Sequence, residues 1–227
     1  MLTGLNMSKV KAHFNAIAHK YDDYKSKNWY YYQGIKSILA QIIFNPENST
    51  ILDIGCGTGE ILNFLKPKKG VGIDISDNMI TIAKNKYPQY SFITSTAAEF
   101  KTDLAFDYIL LIDVIEHIEN IEQAIETMAK LANQNTTLIF LAANTLWEPL
   151  LLVLEKLNLK MPEGPHYRIN EHEFIKLLKT NGFKNFKTYT RLLLPKKIFC
   201  ADLINNFFYR VPLLNKLGLI NVIMATK

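Results

Sequence analysis

Apolar positions along the 227-residue chain follow two alternating rhythms: stretches where they recur every three to four residues, and short unbroken apolar runs closed by glycine or a polar side chain. The first rhythm predicts a helix over 8–20, with Val10, Phe14, Ile17 and Tyr21 on one face and Ser8 as its cap. An aromatic run, Trp29, Tyr30, Tyr31 and Tyr32, leads into a second helix over 35–43, and 45–49 reads as a turn. Five strand-like runs follow, at 51–54, 71–73, 90–93, 108–112 and 136–141, with helical stretches after the first, second and fourth (61–65, 79–83 and 121–131). The run at 108–112 is apolar throughout, as a strand covered on both faces must be. Strands alternating with helices predict an α/β fold around a mostly parallel sheet.

Beyond residue 145 the alternation loosens. A helix-period segment over 146–159 carries Leu146, Leu150, Val153, Leu154 and Leu157, and a proline- and glycine-containing loop over 161–168 follows it. Asn170 caps a further helix, with Glu173 in the capping-box position, and Asn181 and Gly182 end it. Strands over 183–194 and 220–226 flank an amphipathic helix over 198–211 that Pro212 stops. The insertion after the fifth strand is longer than a connection requires, and extra length there commonly builds a substrate pocket. The expected organisation is one domain over 1–227: a helical cap over 1–48, a ligand-binding core over 49–144, and a substrate-side insertion with the last strands over 145–227.

The densest chemical signal is at 51–60, Ile-Leu-Asp-Ile-Gly-Cys-Gly-Thr-Gly-Glu. A strand running into Gly55, Gly57 and Gly59 and out into a helix makes a turn whose backbone a nucleotide can approach closely. The second strand closes on Asp74, placed to accept hydrogen bonds from ribose hydroxyls. Asp53 lies inside the first strand, where a carboxylate needs an ammonium or backbone N–H partner. Cys56, inside the loop, reads as a small semi-buried filler, and Cys200 as core. Residues at the carboxyl end of the fourth strand face the ligand crevice of such a sheet, which makes Asp113, Glu116 and His117 candidates for chemistry.

Leu52-Asp-Ile-Gly-Cys-Gly-Thr-Gly59 closely resembles motif I of class I S-adenosylmethionine-dependent methyltransferases. Val71-Gly-Ile-Asp-Ile-Ser76 and Phe106-Asp-Tyr-Ile109 leading into Asp113-Val-Ile-Glu-His-Ile118 resemble the segments that follow it. The resemblance implies a Rossmann-like seven-stranded sheet with helices on both faces and the last strand antiparallel. It also implies S-adenosylmethionine as cofactor, with S-adenosylhomocysteine as product. Carried onto this sequence, the cofactor contacts are Asp53, Gly55, Cys56, Gly57, Gly59, Asp74, Ile75, Met79, Thr96, Ala97, Ala98 and Asp113. Thr96 stands where the family commonly has an aspartate for the adenine amine, leaving that contact to the backbone, to Ala97 or to Glu99. Phe14, Ala18, Tyr21 and Asp22 resemble the opening helix of ubiquinone-biosynthesis-like (methyltransferase-11-type) members, a lid over the cofactor, although a helix merely packed on the core has the same period.

Methyl transfer from a sulfonium asks mainly for close placement of the acceptor and exclusion of water. A hydroxyl acceptor is helped by a base, for which His117 and His166 are the candidates. Asp113, Glu116, His117 and His166 also resemble the carboxylate and histidine set of magnesium-dependent relatives, but Asp113 stands where those relatives have a longer Glu, and a metal-free pocket is the favoured reading of the same residues.

Charge changes the picture in one place. The chain carries a net charge of +5, yet residues 184–227 hold eight basic side chains and one acid. That excess suits an anionic lipid surface or only a solvated rim. The aromatic cap and apolar insertion favour a small apolar acceptor, such as a quinone precursor or lipid, with oxygen as the expected methyl acceptor and carbon next. No RNA-binding module or base-stacking signature is present, so a nucleic-acid partner is not expected, although an RNA 2′-O-methyltransferase-like enzyme and an S-adenosylmethionine-binding protein without turnover stay open as alternatives. Two cysteines and no leader or spanning run give a cytoplasmic expectation, with peripheral membrane contact allowed.

Overall fold

The structure is a computed structural model that describes residues 5–157, 161–162, 164–167, 170–197, 199, 201–211 and 216–227. The N-terminal region folds as helices α1 (Met7–Ile17), α2 (Tyr21–Lys27) and α3 (Trp29–Ile42). Asn6 rather than Ser8 caps α1: its Oδ1 accepts from the Ser8 and Lys9 amides at 3.0 and 3.3 Å. The aromatic run belongs to the first turn of α3, which therefore begins earlier than the apolar period alone indicated.

Next come β1 (Thr50–Ile54), α4 (Glu60–Leu65), β2 (Lys69–Asp74), α5 (Asp77–Lys86), β3 (Ser91–Thr94), β4 (Phe106–Ile112), α6 (Ile121–Leu131) and β5 (Ala132–Ala143). Ser76 caps α5, its Oγ accepting from the Met79 amide at 3.1 Å. The C-terminal part supplies α7 (Glu148–Lys156), α8 (Glu171–Thr180), β6 (Lys184–Arg191), α9 (Ala201–Phe207) and β7 (Ile220–Thr226). Helices α7 and α9 are both shorter than their patterns. Ile198, Cys200 and Pro212, which entered those expectations, lie outside the described residues.

The seven strands form one sheet in the order β3-β2-β1-β4-β5-β7-β6. Its strands are parallel except β7, which runs antiparallel between β5 and β6. The surroundings of β4 explain the unbroken apolar run at 108–112: Ile109 and Leu111 pack on one face with α6 and α8, while Leu110 packs on the other with α3, α4 and α5. The chain reverses direction of strand addition between β1 and β4, and a crevice opens there beyond the carboxyl ends of the strands.

Candidate active site

Two cavities occupy that crevice, of about 430 Å³ and about 420 Å³. Phe14, Tyr21, Gly55, Asp113 and His117 line both, so the two meet along one seam. Gly57, Asp74, Ile75, Met79, Thr96, Ala97 and Ala98 line the first. Asp53, Cys56 and Glu116 line the second, with Tyr31, Tyr32, Ile35, Leu151 and Leu154 giving it an apolar and aromatic wall. Gly59 reaches neither; it holds the left-handed conformation that starts α4 (φ 83°). His166 also lines neither cavity, and its ring stands edge-on to that of His117 with centroids 6.2 Å apart.

The glycine loop is shaped by contacts that admit no side chain. At Gly55 (φ 72°) a Cβ would sit 2.2 Å from the Val114 Cγ2. The Gly55 and Cys56 amides both donate to the Ile73 carbonyl, at 2.8 and 3.0 Å, which ties the turn to β2. Asp74 braces the same turn from below: its carboxylate accepts from the Gly57 amide at 2.9 Å and the Ser76 amide at 2.8 Å. Burial nonetheless raises its pKa above the ordinary carboxylate value, those amides and Lys25 acting in the opposite direction. Burial pushes the Cys56 thiol well up, so it is a packing residue and not a thiolate nucleophile.

Asp53 is the unusual group. It is 2% exposed, and its Oδ2 has no hydrogen-bond partner among the described residues. Burial pushes its pKa up to about 7; Lys25 pulls it down and Asp74 pushes it further up. Lys25 rides over the rings of Tyr21 and Tyr32, 4.6 and 5.1 Å from their centroids. No sequence motif points to Lys25, but it follows Tyr21 by four positions and so shares its helix face.

The N-terminal helices are fastened onto the loop by side chains. Thr58 Oγ1 and Lys86 Nζ donate to the two oxygens of Asp22 at 2.7 and 2.8 Å. Burial opposes ionisation of Asp22, but the hydrogen bonds from Lys86 and Thr58 outweigh it and hold the carboxyl below the ordinary range. Asn15 accepts from Ser76 Oγ at 2.7 Å and from the Asn78 amide at 3.2 Å. Tyr21 then covers Gly57, where an added Cβ would lie 3.1 Å from its ring.

At the seam, Asp113 holds a positive φ of 48°, a conformation that Asp tolerates better than most residues. This turns its carboxylate toward α3, where the Tyr31 hydroxyl donates to both oxygens at 3.0 and 3.1 Å. Burial, and next to it Asp113, raise the Tyr31 pKa well above its ordinary value, so the phenol stays a donor. His117 Nδ1 lies 2.9 Å from the Pro165 carbonyl. A carbonyl only accepts, so Nδ1 carries the proton, and in the neutral ring Nε2 is the basic nitrogen. Phe14 packs edge-on against the same ring at 5.1 Å. His166 donates from Nδ1 to Gly164 at 2.9 Å, and its Nε2 lies 3.6 Å from Glu148. It fastens the loop that carries Pro165. Among the described residues no group of three His, Cys, Asp or Glu is disposed to hold a metal ion, and the Asp113, Glu116, His117 and His166 set is not assembled as one.

A methyltransferase-domain family model matches residues 27–188. The chain belongs to this methyltransferase family. Its curated relatives include the ubiquinone biosynthesis O-methyltransferase of Rickettsia akari, 26% identical over 168 residues that cover 69% of this chain and 63% of the relative. The chain spans from 46% to 63% of the length of three curated relatives it matches. Among solved structures, a SAM-dependent methyltransferase of Thermotoga maritima superposes with a TM-score of 0.72 at 19% identity, covering 96% of this chain and 99% of the other. Magnesium protoporphyrin IX methyltransferase of Synechocystis PCC 6803 with bound SAH gives 0.70 at 20% identity, covering 98% of this chain and 100% of the other. The seven-stranded sheet and antiparallel seventh strand implied by the sequence resemblance are the observed fold.

Residues 117–123 contribute more than the sequence indicated. Glu119, Asn120 and Gln123 line the first cavity, and Asn120 Oδ1 accepts from the Gln123 amide at 3.0 Å to begin α6. Thr96, in the place of the expected acid, is occupied with Glu99: its Oγ1 donates to the Glu99 carboxylate at 2.8 Å and lies 3.2 Å from the Glu99 amide.

Proposed function

We propose that this methyltransferase moves a methyl group from S-adenosylmethionine to a hydroxyl of a small, largely apolar acceptor. The observation that carries this reading is the pair of cavities joined at Gly55, Asp113 and His117, one lined by the glycine loop and Asp74, the other by aromatic and aliphatic side chains. S-adenosylmethionine supplies, when bound, a sulfonium-borne methyl group that an in-line displacement can remove.

The residues present fit that cofactor. In this reading Asp74 receives the ribose hydroxyls, and Ile75, Met79, Ala97 and Ala98 enclose the adenine beside Thr96. The orphaned Asp53 oxygen takes the ammonium of the amino-acid end, and Gly55 and Gly57 present bare backbone. Tyr21 and Phe14 close over the seam and exclude water, which is the role of a lid. Tyr31 and Asp113 fix the wall on one side of the seam, and His117 Nε2 accepts the proton of the acceptor hydroxyl. The relatives named for ubiquinone biosynthesis support a quinone precursor as one acceptor class.

Calorimetric titration with S-adenosylhomocysteine and separately with NADH tests the cofactor. Micromolar affinity for the first and none for the second is expected; the reverse would overturn the reading. Incorporation of labelled methyl into an organic-extractable product from a panel of phenols and quinols then tests the acceptor class.

The lid reading has its own test. Asp22→Ala breaks the hydrogen bonds from Thr58 and Lys86, and hydrogen bonds to charged groups are each worth about 1.5–3 kcal/mol, discounted here for partial exposure. Affinity for S-adenosylhomocysteine is expected to fall about fivefold, with faster ligand release in stopped-flow and faster proteolysis before residue 28. Unchanged release would show that α1 and α2 are only packed on the core.

A further inference from the structure

The apolar period of α7 is arranged opposite to that of a core helix. Leu146, Leu150, Val153 and Leu157 fall on one helical stripe, and the stripe faces outward, with Leu146 59% and Leu157 61% exposed. Leu151, beside them in sequence, is the residue of α7 that is buried. Helix α9 repeats the arrangement. Ala201 and Phe208 are buried and Asn205 is hydrogen-bonded inward to Leu194, while Leu203, Ile204 and Phe207 face outward behind Phe199, which is 93% exposed.

Monomeric proteins scatter exposed apolar side chains singly; outward stripes on two helices mark an interaction surface. The two helices belong to one region of the molecule, because Leu151 and Leu154 of α7 border the second cavity together with Pro195 and Lys196, just before α9. An exposed tryptophan adjoins α9 as well: Trp29 stacks edge-on with Tyr30, whose hydroxyl donates to Asp202 at 2.7 Å.

The charges around the α9 stripe select the occupant, while α7, with Glu148 and Glu155 beside Lys156, adds apolar surface and no net positive charge. Lys196, Arg210 and Lys216 are exposed on the segments that bracket α9, and Lys197 is paired with the acid of this helix, Asp202. Apolar and aromatic side chains rimmed by lysine and arginine match an anionic bilayer surface, where the rings and leucines enter the headgroup boundary and the basic groups meet lipid phosphates. No helix among the described residues is long and apolar enough to cross a membrane, so such contact would lie in the interface plane.

We propose that the outward faces of α7 and α9 dock on an anionic membrane, with the second cavity bordered by the docking elements so that an acceptor dissolved in the lipid reaches it without crossing water. This rests on the reading of that cavity as the acceptor's place. The consequence for the acceptor is a molecule with an apolar tail that partitions into bilayers.

Flotation of the full chain with vesicles of phosphatidylcholine, with and without one-quarter phosphatidylglycerol, tests the docking. Binding to the anionic vesicles is expected to exceed binding to the neutral ones by about tenfold or more, and to weaken in 0.5 M salt. Two variants, Leu150→Glu with Val153→Glu, and Leu203→Glu with Phe207→Glu, are each expected to lose about tenfold or more of that binding. Both change exposed side chains outside the cavities, and their S-adenosylhomocysteine affinity should equal that of the parent. Absence of binding to anionic vesicles, or undiminished binding by both variants, would overturn the proposal. So would self-association in sedimentation velocity that the same variants abolish, because a second copy would then cover the face. Loss of S-adenosylhomocysteine binding by the parent chain would strike the methyltransferase reading instead and leave the vesicle result readable by itself.

Discussion

Replacing Asp53 by Asn is expected to weaken S-adenosylhomocysteine binding at least tenfold while raising the thermal stability of the ligand-free protein at pH 8. Both effects have the same origin. The folded protein keeps this carboxyl in a site where burial lifts its pKa to about 7, with one oxygen lacking a partner. In the unfolded chain the carboxyl ionises near its ordinary value of 3.8. Between those values the folded state holds the proton more tightly, so the stability associated with this group is full below pH 3.8 and is lost as pH rises through about 7. The loss is at most about 4 kcal/mol, and Asn, which is uncharged but still needs hydrogen bonds, would recover about 1–2 kcal/mol of it. For a domain of this size that corresponds to a melting temperature higher by several degrees, roughly 2–8 °C, at pH 8. Little gain is expected at pH 4, where the parent carboxyl is already neutral in the fold. Binding has the opposite dependence. The ligand's ammonium favours the carboxylate, so affinity of the parent should rise by up to about tenfold per pH unit below 7 and level off above it. The Asp53→Asn variant should show a flattened slope. A parent profile flat from pH 5.5 to 8, or a variant with full affinity, would remove Asp53 from the amino-acid end of the site.

The buried charge behind this proposed binding role was partly legible in the chain. Asp53 inside an apolar strand two positions before Gly55 already required a partner, and the glycine loop and Asp74 placed that partner near a nucleotide. Local chemistry fixed these positions, because a tight turn after a strand needs specific residues at adjacent places. Contacts between distant segments were not legible in the same way. Tyr31 and Asp113 are 82 positions apart and meet through the positive φ of Asp113, which no periodicity announces. Asp22 reaches Thr58, inside the glycine loop, and Lys86, at the end of α5, only because α1 and α2 fold back over the sheet. Helix α7 shows the limit most directly. Its 3.6-residue apolar period identifies a helix with one apolar face, but the same period describes a face turned to the core and one turned to a partner. Only the position of the helix relative to the sheet decides, and here Leu146, Leu150, Val153 and Leu157 face out. His166 illustrates the converse. Its sequence context matched that of a downstream histidine joining the site, yet its ring reaches Gly164 and Glu148 and stands beside His117 instead of lining either cavity.

His117→Ala is expected to lower the rate of methyl transfer to a phenolic or quinol acceptor by about 10²–10⁴-fold, the usual contribution of a general base, with S-adenosylhomocysteine affinity changed no more than a few-fold. The proposed base role rests on how the ring is held. Pro165 accepts from Nδ1, Phe14 packs edge-on against one side, and the ring borders both cavities at their junction. An imidazole so fixed presents Nε2 as its accepting nitrogen, and imidazoles change protonation near neutral pH. Asp113, the carboxylate at the seam, already accepts twice from Tyr31 and so serves better as a fixed wall than as a proton acceptor. Three readouts separate this role from packing. A base gives a rate that rises with pH on the acidic limb, and the variant should lose that limb. Acceptors whose hydroxyl is more acidic need less help, so the deficit should shrink along a series of increasingly acidic phenols. Tyr31→Phe, which removes the hydrogen bonds to Asp113 but leaves His117 untouched, should keep the acidic limb even where its rate falls. If His117→Ala instead loses its cofactor affinity and unfolds at lower temperature, and His117→Asn, which retains a side-chain donor for Pro165, restores both the fold and the full rate, the ring is a structural tie between the seam and the loop. Retained cofactor binding with the rate lost in both variants is the result that identifies His117 as the base.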